Sequence, residues 1–302
     1  MGYQRIEYWY EPTDILRKHN AYSTFTHMSR DEHGFLSGII KKIRPKKVLE
    51  VGVAEGGTTA MILKSLEMAK CESEMYSCDV VTTYKGLEVG TMVKHVTDIK
   101  YVKHKLLTGK LLKDNIEQIG YGIDLVILDT SHNVPGEIIE FLTVLPFLSD
   151  DAFVVLHDVN LCNDLALRSE KVTESFRKIS TKVLFTSVSG EKYFDYAGEN
   201  LNNIAAVRVN ESTKENIADL FFALSHLWHI GISQEILKDY REFFSRYYSD
   251  ELLEIWDLVI KNQNNYRYNM DRVHRHLKLL DKYQYYTLIL KTNLYKVYKK
   301  LF

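Results

Sequence analysis

Two short stretches of the chain set an acid beside an imidazole. Asp129-Thr130-Ser131-His132-Asn133 follows one apolar run, and His157-Asp158 closes another. A carboxylate in contact with an imidazole can move a proton, one group orienting the other. Acids and imidazoles together can also hold a divalent ion. Asp129, His132, His157 and Asp158 are therefore the candidate reacting groups. A third stretch is glycine-rich. The apolar residues Val48, Leu49, Val51 and Val53 run into Gly52, Gly56 and Gly57, and a helical pattern begins at Thr58. Glycine allows positive φ and close approach of a ligand. The helix that follows aims its free N–H groups and positive dipole end at the turn. Such a turn can cradle a nucleotide-type cofactor. Asp79 ends a further apolar run, where an acid can accept hydrogen bonds from ribose hydroxyls.

These groups need elements to bring them together. Strands are expected over 48–53, 75–80, 101–107, 123–129 and 152–158. Helical patterns alternate with them, over 58–70, 111–119 and 137–148, with a loop and helix over 82–98. Ser29 and Glu32 form a capping box for a helix carrying Phe35, Leu36, Ile39 and Ile40 on one face, and Pro45 ends it. Residues 182–187 and 204–209 read as a closing antiparallel pair, and 160–180 as mainly helical. Repeated strand–helix units imply a doubly wound, mostly parallel α/β sheet. Ligands bind beyond the carboxyl ends of such strands, and every polar cluster named above falls at such an end.

The two ends of the chain differ from its middle. Residues 1–28 are aromatic and irregular, and read as a cover segment. Beyond about residue 210 the pattern is helical, with cap signals at Ser212, Ser233 and Ser249 and no proline after Pro146. The last stretch, 276–302, mixes apolar residues with lysines. A basic amphipathic helix can lie on a membrane surface, although such lysines more often form a solvated face or an oligomer contact. The formal net charge is −1, which provides no global field for nucleic acid. Cys71, Cys78 and Cys162 have neither disulfide-framework nor zinc-site spacing, which fits a reducing, cytoplasmic setting. The start of the chain lacks the apolar core of a signal peptide.

The glycine spacing bears on the cofactor. A nicotinamide site has a second glycine two residues after the first, where the pyrophosphate approaches. Ala54 stands there instead, and Glu50-x-Gly52-x-x-x-Gly56-Gly57 suits a smaller ligand. Residues 48–59 resemble the first motif of class I S-adenosylmethionine-dependent methyltransferases, and Asp79 resembles that family's next motif. The Asp129–Asn133 and Val154-Val155-Leu156-His157-Asp158-Val159 stretches resemble a bacterial O-methyltransferase group. That group includes macrolide-sugar methyltransferases and cephalosporin-hydroxylase-type proteins. The resemblance covers roughly residues 30–210.

The resemblance implies a Rossmann-like methyltransferase fold with a helical C-terminal extension. Residues 1–46 would be the aromatic cover and first helix, 47–210 the S-adenosylmethionine-binding domain, and 211–302 the extension. Implied cofactor contacts are Glu50, Gly52, Glu55, Gly56, Gly57, Thr58, Asp79 and Asp129. In the macrolide-sugar relatives an acid matching Asp129 binds magnesium, and a histidine matching His132 is the general base. Two consecutive acids after the fifth strand complete their metal site. Here those positions are His157 and Asp158, so one carboxylate is replaced by an imidazole. A metal on Asp129, His157 and Asp158 could be magnesium or a softer ion. Without a metal, His132 or His157 takes the proton and Asp158 or Asp129 orients it. The expected activity is methyl transfer to a hydroxyl, of a sugar or glycoconjugate, with the helical tail as a possible homo-oligomer contact. The alternatives are a phenolic or other small-molecule acceptor, and a catalytically silent methyltransferase-like binding or scaffold protein. Ala54 disfavours a nicotinamide oxidoreductase.

Overall fold

The computed structural model describes residues 5–18, 26–95, 99–162, 178–194 and 203–266. The expected basic helix over 276–302, and most of the expected helix over 160–180, lie outside these residues. Seven strands form the central sheet: β1 (Lys47–Val51), β2 (Ser73–Asp79), β3 (Val102–Thr108), β4 (Ile123–Leu128), β5 (Leu148–His157), β6 (Glu191–Phe194) and β7 (Ile204–Arg208). Their order is β3-β2-β1-β4-β5-β7-β6. The first five are parallel, and β7 runs antiparallel between β5 and β6.

Nine helices are used below: α1 (Glu11–Leu16), α2 (Arg30–Ile43), α3 (Gly57–Met68), α4 (Ile116–Ile119), α5 (Gly136–Val144), α6 (Ser180–Ser187), α7 (Glu211–Glu215), α8 (Ile217–Ala223) and α9 (Gln234–Phe244). α2 begins at the expected capping box. Ser29 Oγ accepts from the Glu32 amide at 3.2 Å, and Glu32 Oε2 accepts from the Ser29 amide at 2.6 Å. Successive residues of a strand face opposite sides of a sheet. Leu125 and Ile127 join the cluster beneath α2 and α3, with Phe35, Ile39, Met61, Ile62 and Leu66. Val126 and Leu128, on the other face, are equally buried. Helices cover both faces, which is why the central strands read as continuous apolar runs.

Four local expectations are corrected. Residues 182–187 are not a strand. They lie in α6, whose Val183, Leu184 and Phe185 are buried, and the partner of β7 on its outer side is β6. The cap near 212 belongs to Asn210, whose amide donates to Thr213 Oγ1 at 3.2 Å. The expected helix over 111–119 shortens to a 3-10 turn (Leu112–Asp114) and α4, which ends at Gly120 with φ 76°. Of the expected loop and helix over 82–98, the described residues, to 95, hold a small hairpin, Thr83–Tyr84 against Leu87–Glu88, and a 3-10 turn at Thr91–His95.

By contact density the chain divides into units 1–253 and 254–302. α8 packs on α5 and α6 within the first unit. Among the described residues, no helix is long and apolar enough to cross a membrane.

Candidate active site

The turn after β1 passes so close to the end of β4 that only glycine fits. Gly52 has φ 92°, and a Cβ there would lie 1.8 Å from the Asp129 carbonyl oxygen. The two strand ends are also tied directly, since the Asp129 amide donates to the Val51 carbonyl at 3.0 Å. Asp79, at the end of β2, braces the turn from the other side. Its Oδ2 accepts from the amides of Val53 (2.9 Å) and Ala54 (3.1 Å), and its Oδ1 from Val81 (3.0 Å).

A cavity of about 680 Å³ opens over these strand ends. Gly52, Gly57, Thr58, Asp79 and Asp129 line it, as do His132, His157 and Asp158. Three expected cofactor contacts are absent from its lining. Gly56 is the left-handed N-cap of α3. Glu55 turns to His27 and Lys85, at 2.9 and 3.2 Å. Glu50 is fully buried and accepts a 2.7 Å hydrogen bond from Thr59 Oγ1. Burial pushes its carboxyl up to about 8, so it stays protonated at neutral pH. Glu50 ties β1 to α3 and does not reach the cavity.

The acids and imidazoles at the ends of β4 and β5 do meet. His132 Nε2 lies 2.9 Å from Asp158 Oδ2 and 3.7 Å from Asp129 Oδ1. His157 Nδ1 lies 3.0 Å from Asp129 Oδ1. Its other nitrogen reaches Glu32 Oε1 at 3.2 Å. Asn203 donates to Asp158 Oδ1. Burial opposes charge on His132, but Asp158 and Glu137 outweigh it and push the imidazole up to about 10. His157 is likewise raised despite burial, chiefly by Asp129 and Asp158. Burial also opposes charge on Asp158, yet His157 and His132 hold its carboxyl down at about 2.

Sequence reasoning missed four residues here. Glu32 uses one carboxylate oxygen to cap α2 and the other to hold His157. Glu137 is fully buried. It takes the His132 amide at 2.6 Å and stands 3.3 Å from His132 Nδ1, and His132 itself has φ 58°. Glu140 lines the cavity, and burial followed by repulsion from Glu137 pushes it up to about 8. Thr130 Oγ1 lies between these two acids, 3.1 Å from Glu137 and 2.8 Å from Glu140. Asn203 comes from the start of β7. The i, i+3 spacing of Glu137 and Glu140 just after the His132 loop was a usable signal. Glu32 and Asn203 had none.

The donor geometry also alters the expected metal set. Oxygens of Asp129 and Asp158 and a nitrogen of His132 lie within 4.8 Å of one another, close enough to hold one ion. His157 is outside this group and instead bridges Asp129 and Glu32. Two carboxylates and an imidazole suit a divalent ion of intermediate softness better than they suit magnesium.

The sheet order, the glycine turn and the acid-ended strands are those of a Rossmann-like methyltransferase fold. The family model described as a methyltransferase domain matches residues 49–159, the span from β1 to the end of β5 that supplies the strand-end groups. No curated protein sequence matches the chain. Similar solved structures include an O-methyltransferase from Bacillus cereus in complex with S-adenosylhomocysteine. It is 14% identical, with 66% of this chain and 91% of that one covered, at a TM-score of 0.46. Cofactor-bound Rv0187 from MTB is 15% identical, with 67% and 90% covered, at a TM-score of 0.48. The O-methyltransferase TomG from Streptomyces achromogenes, in complex with S-adenosylmethionine, is 13% identical, with 68% and 92% covered, at a TM-score of 0.45.

Proposed function

We propose that the protein transfers the methyl group of S-adenosylmethionine to a hydroxyl of a small-molecule acceptor of the sugar or glycoconjugate class. One observation carries this reading. His132, Asp158, Asp129 and His157 line the same cavity as the glycine turn. A sulfonium is already a good leaving group, so transfer needs an aligned acceptor. An alcohol is a poor nucleophile until its proton is removed, and acids and imidazoles beside the cofactor serve that need.

In this reading Gly52, Gly57, Thr58 and Asp79 hold the cofactor and Asp129 bridges cofactor and acceptor. His132 takes the hydroxyl proton. Its neutral form is disfavoured while Asp158, Asp129 and Glu137 all face it, so engagement of those carboxylates elsewhere frees it to act as a base. His157, held by Glu32 and Asp129, fixes the Asp129 carboxylate. Asp129, His132 and Asp158 would alternatively hold a divalent ion; His132 would then be a ligand rather than the base, and the ion would supply the Lewis acidity that lowers the pKa of a coordinated hydroxyl.

The test uses methyl-labelled S-adenosylmethionine with panels of sugar, glycoside and phenolic hydroxyls. Label transfer is followed by mass spectrometry, with and without chelator and added divalent ions. Transfer to a sugar hydroxyl supports the proposal. Transfer to phenols alone changes the acceptor class. Cofactor binding without transfer to any hydroxyl overturns O-methylation and leaves a binding protein.

A further inference from the structure

Glu55 lies inside the glycine turn but faces away from the cofactor cavity. Its carboxylate side chain is only 5% exposed, and each oxygen meets a different segment of chain. Oε2 is 2.9 Å from His27 Nε2, and Oε1 is 3.2 Å from Lys85 Nζ. His27 belongs to the segment before α2, and Lys85 to the turn of the small hairpin after β2. His27 and Tyr84, the neighbour of Lys85, both line the cavity, and both are partly open to solvent. Groups that line a cavity and also face water form its rim. Their rings meet edge to face with centroids 6.4 Å apart, and the Lys85 ammonium sits 4.9 Å from the Tyr84 ring centre. Val80 and Val81 continue this rim on the β2 side.

The rest of the hairpin segment is bound to the same turn through backbone. The Gly90 amide donates to the Ala54 carbonyl at 2.9 Å, and the Met92 amide donates to the Glu55 carbonyl at 2.8 Å. A Cβ on Gly56 would lie 2.8 Å from the Gly90 Cα, so the two loops touch. The base of the hairpin segment is thus fixed by main chain. The side chains at its tip and at His27 opposite are joined to each other through one buried carboxylate.

We propose that Glu55 is a positioning residue for the cofactor, clipping His27 and the Lys85–Tyr84 hairpin tip together across the cavity rim so that the bound cofactor leaves only when the clip opens. Glu55 then controls release rather than contact. The two charged partners are about half exposed, so each contact is of ordinary surface strength. Together they are worth about a tenfold change in release rate.

The experiment measures S-adenosylhomocysteine association and dissociation by stopped flow on the full chain. Glu55→Gln is expected to speed dissociation about tenfold, with the association rate little changed and thermal stability retained. His27→Ala and Lys85→Ala should each speed release by less. Neither should add anything in the Glu55→Gln background, since their shared partner is gone. Release rates within twofold of the wild type in all three variants would overturn the clip. So would full additivity of His27→Ala or Lys85→Ala with Glu55→Gln. If Glu55→Gln does not fold, the exposed His27→Ala and Lys85→Ala changes decide the matter, singly and together. Failure of the wild-type protein to bind S-adenosylhomocysteine would overturn the cofactor assignment and the clip with it. Binding with unchanged release overturns the clip alone.

Discussion

The two halves of the cavity are built by different means. Around the glycine turn the fixed contacts are mainly backbone: Gly52 against Asp129, and Asp79 against the amides of the turn. Most lie within about thirty positions of one another in the chain, and glycine sets the geometry. At the ends of β4 and β5 every reacting group is a side chain held by another side chain. Some of those partners are remote. Glu32 is 125 positions from His157, and Asn203 is 45 from Asp158. The first arrangement can hold a ligand before any side chain moves. The second places a proton, and its charges depend on every carboxylate that faces the two imidazoles. Binding and transfer should therefore be separable by mutation.

The sharpest separation is expected from His132→Ala. Transfer should fall by about 10²–10⁴-fold, the usual weight of a general base, while S-adenosylhomocysteine affinity measured by calorimetry stays within about twofold of wild type. A variant that keeps full turnover would remove His132 from the chemistry. The converse is Gly52→Ala. A Cβ forced against the Asp129 carbonyl at left-handed φ should cost about 3 kcal/mol of stability and abolish cofactor binding. Thermal unfolding with and without S-adenosylhomocysteine reads both effects. Glu32→Gln is gentler. The amide can still cap α2 but no longer offers His157 a charged acceptor. Transfer is expected to drop about tenfold with cofactor affinity unchanged, and equal loss of both would mean that the two halves are not independent.

The same contrast explains what could be read from the sequence. β4 and β5 were legible because each carries a short apolar run closed by a polar residue. The glycine turn was legible because its chemistry lies in the residue types themselves. Ser29 and Glu32 announced the start of α2, and the structure bears that out. Nothing in a capping box reveals that its glutamate has a second oxygen to give to a histidine on β5. Glu50 was harder to place: its position two residues before Gly52 suggests a ligand contact, and the alternation along β1 turns its side chain inward to Thr59. Residues 182–187 misled through β-branched content, where burial of Val183 and Leu184 against neighbouring elements overrode propensity. The partners of His157 were out of sight because one comes from α2.

Glu50 also supplies the finest test, since it sits beneath the turn without touching the cavity. Its carboxyl moves from an ordinary value of 4.5 to about 8 on folding, through burial. Between those two values the unfolded chain has released this proton and the native protein has kept it. The unfolded state therefore gains relative to the native one as pH rises, by at most about 1.4 kcal/mol per pH unit from this group. Its contribution is complete below pH 4.5, declines through neutrality, and stops changing above about pH 8, where the buried group ionises as well. Glu50→Gln keeps the shape and the acceptor for Thr59 but has no proton to lose. Chemical denaturation from pH 5 to 8 should show a shallower loss of stability in the variant, which becomes the more stable of the two toward pH 8. S-adenosylhomocysteine affinity should be the same in both proteins across that range. An affinity that falls in Glu50→Gln at unchanged stability would bring Glu50 back into the cofactor site, and the backbone account of that half of the cavity would be incomplete.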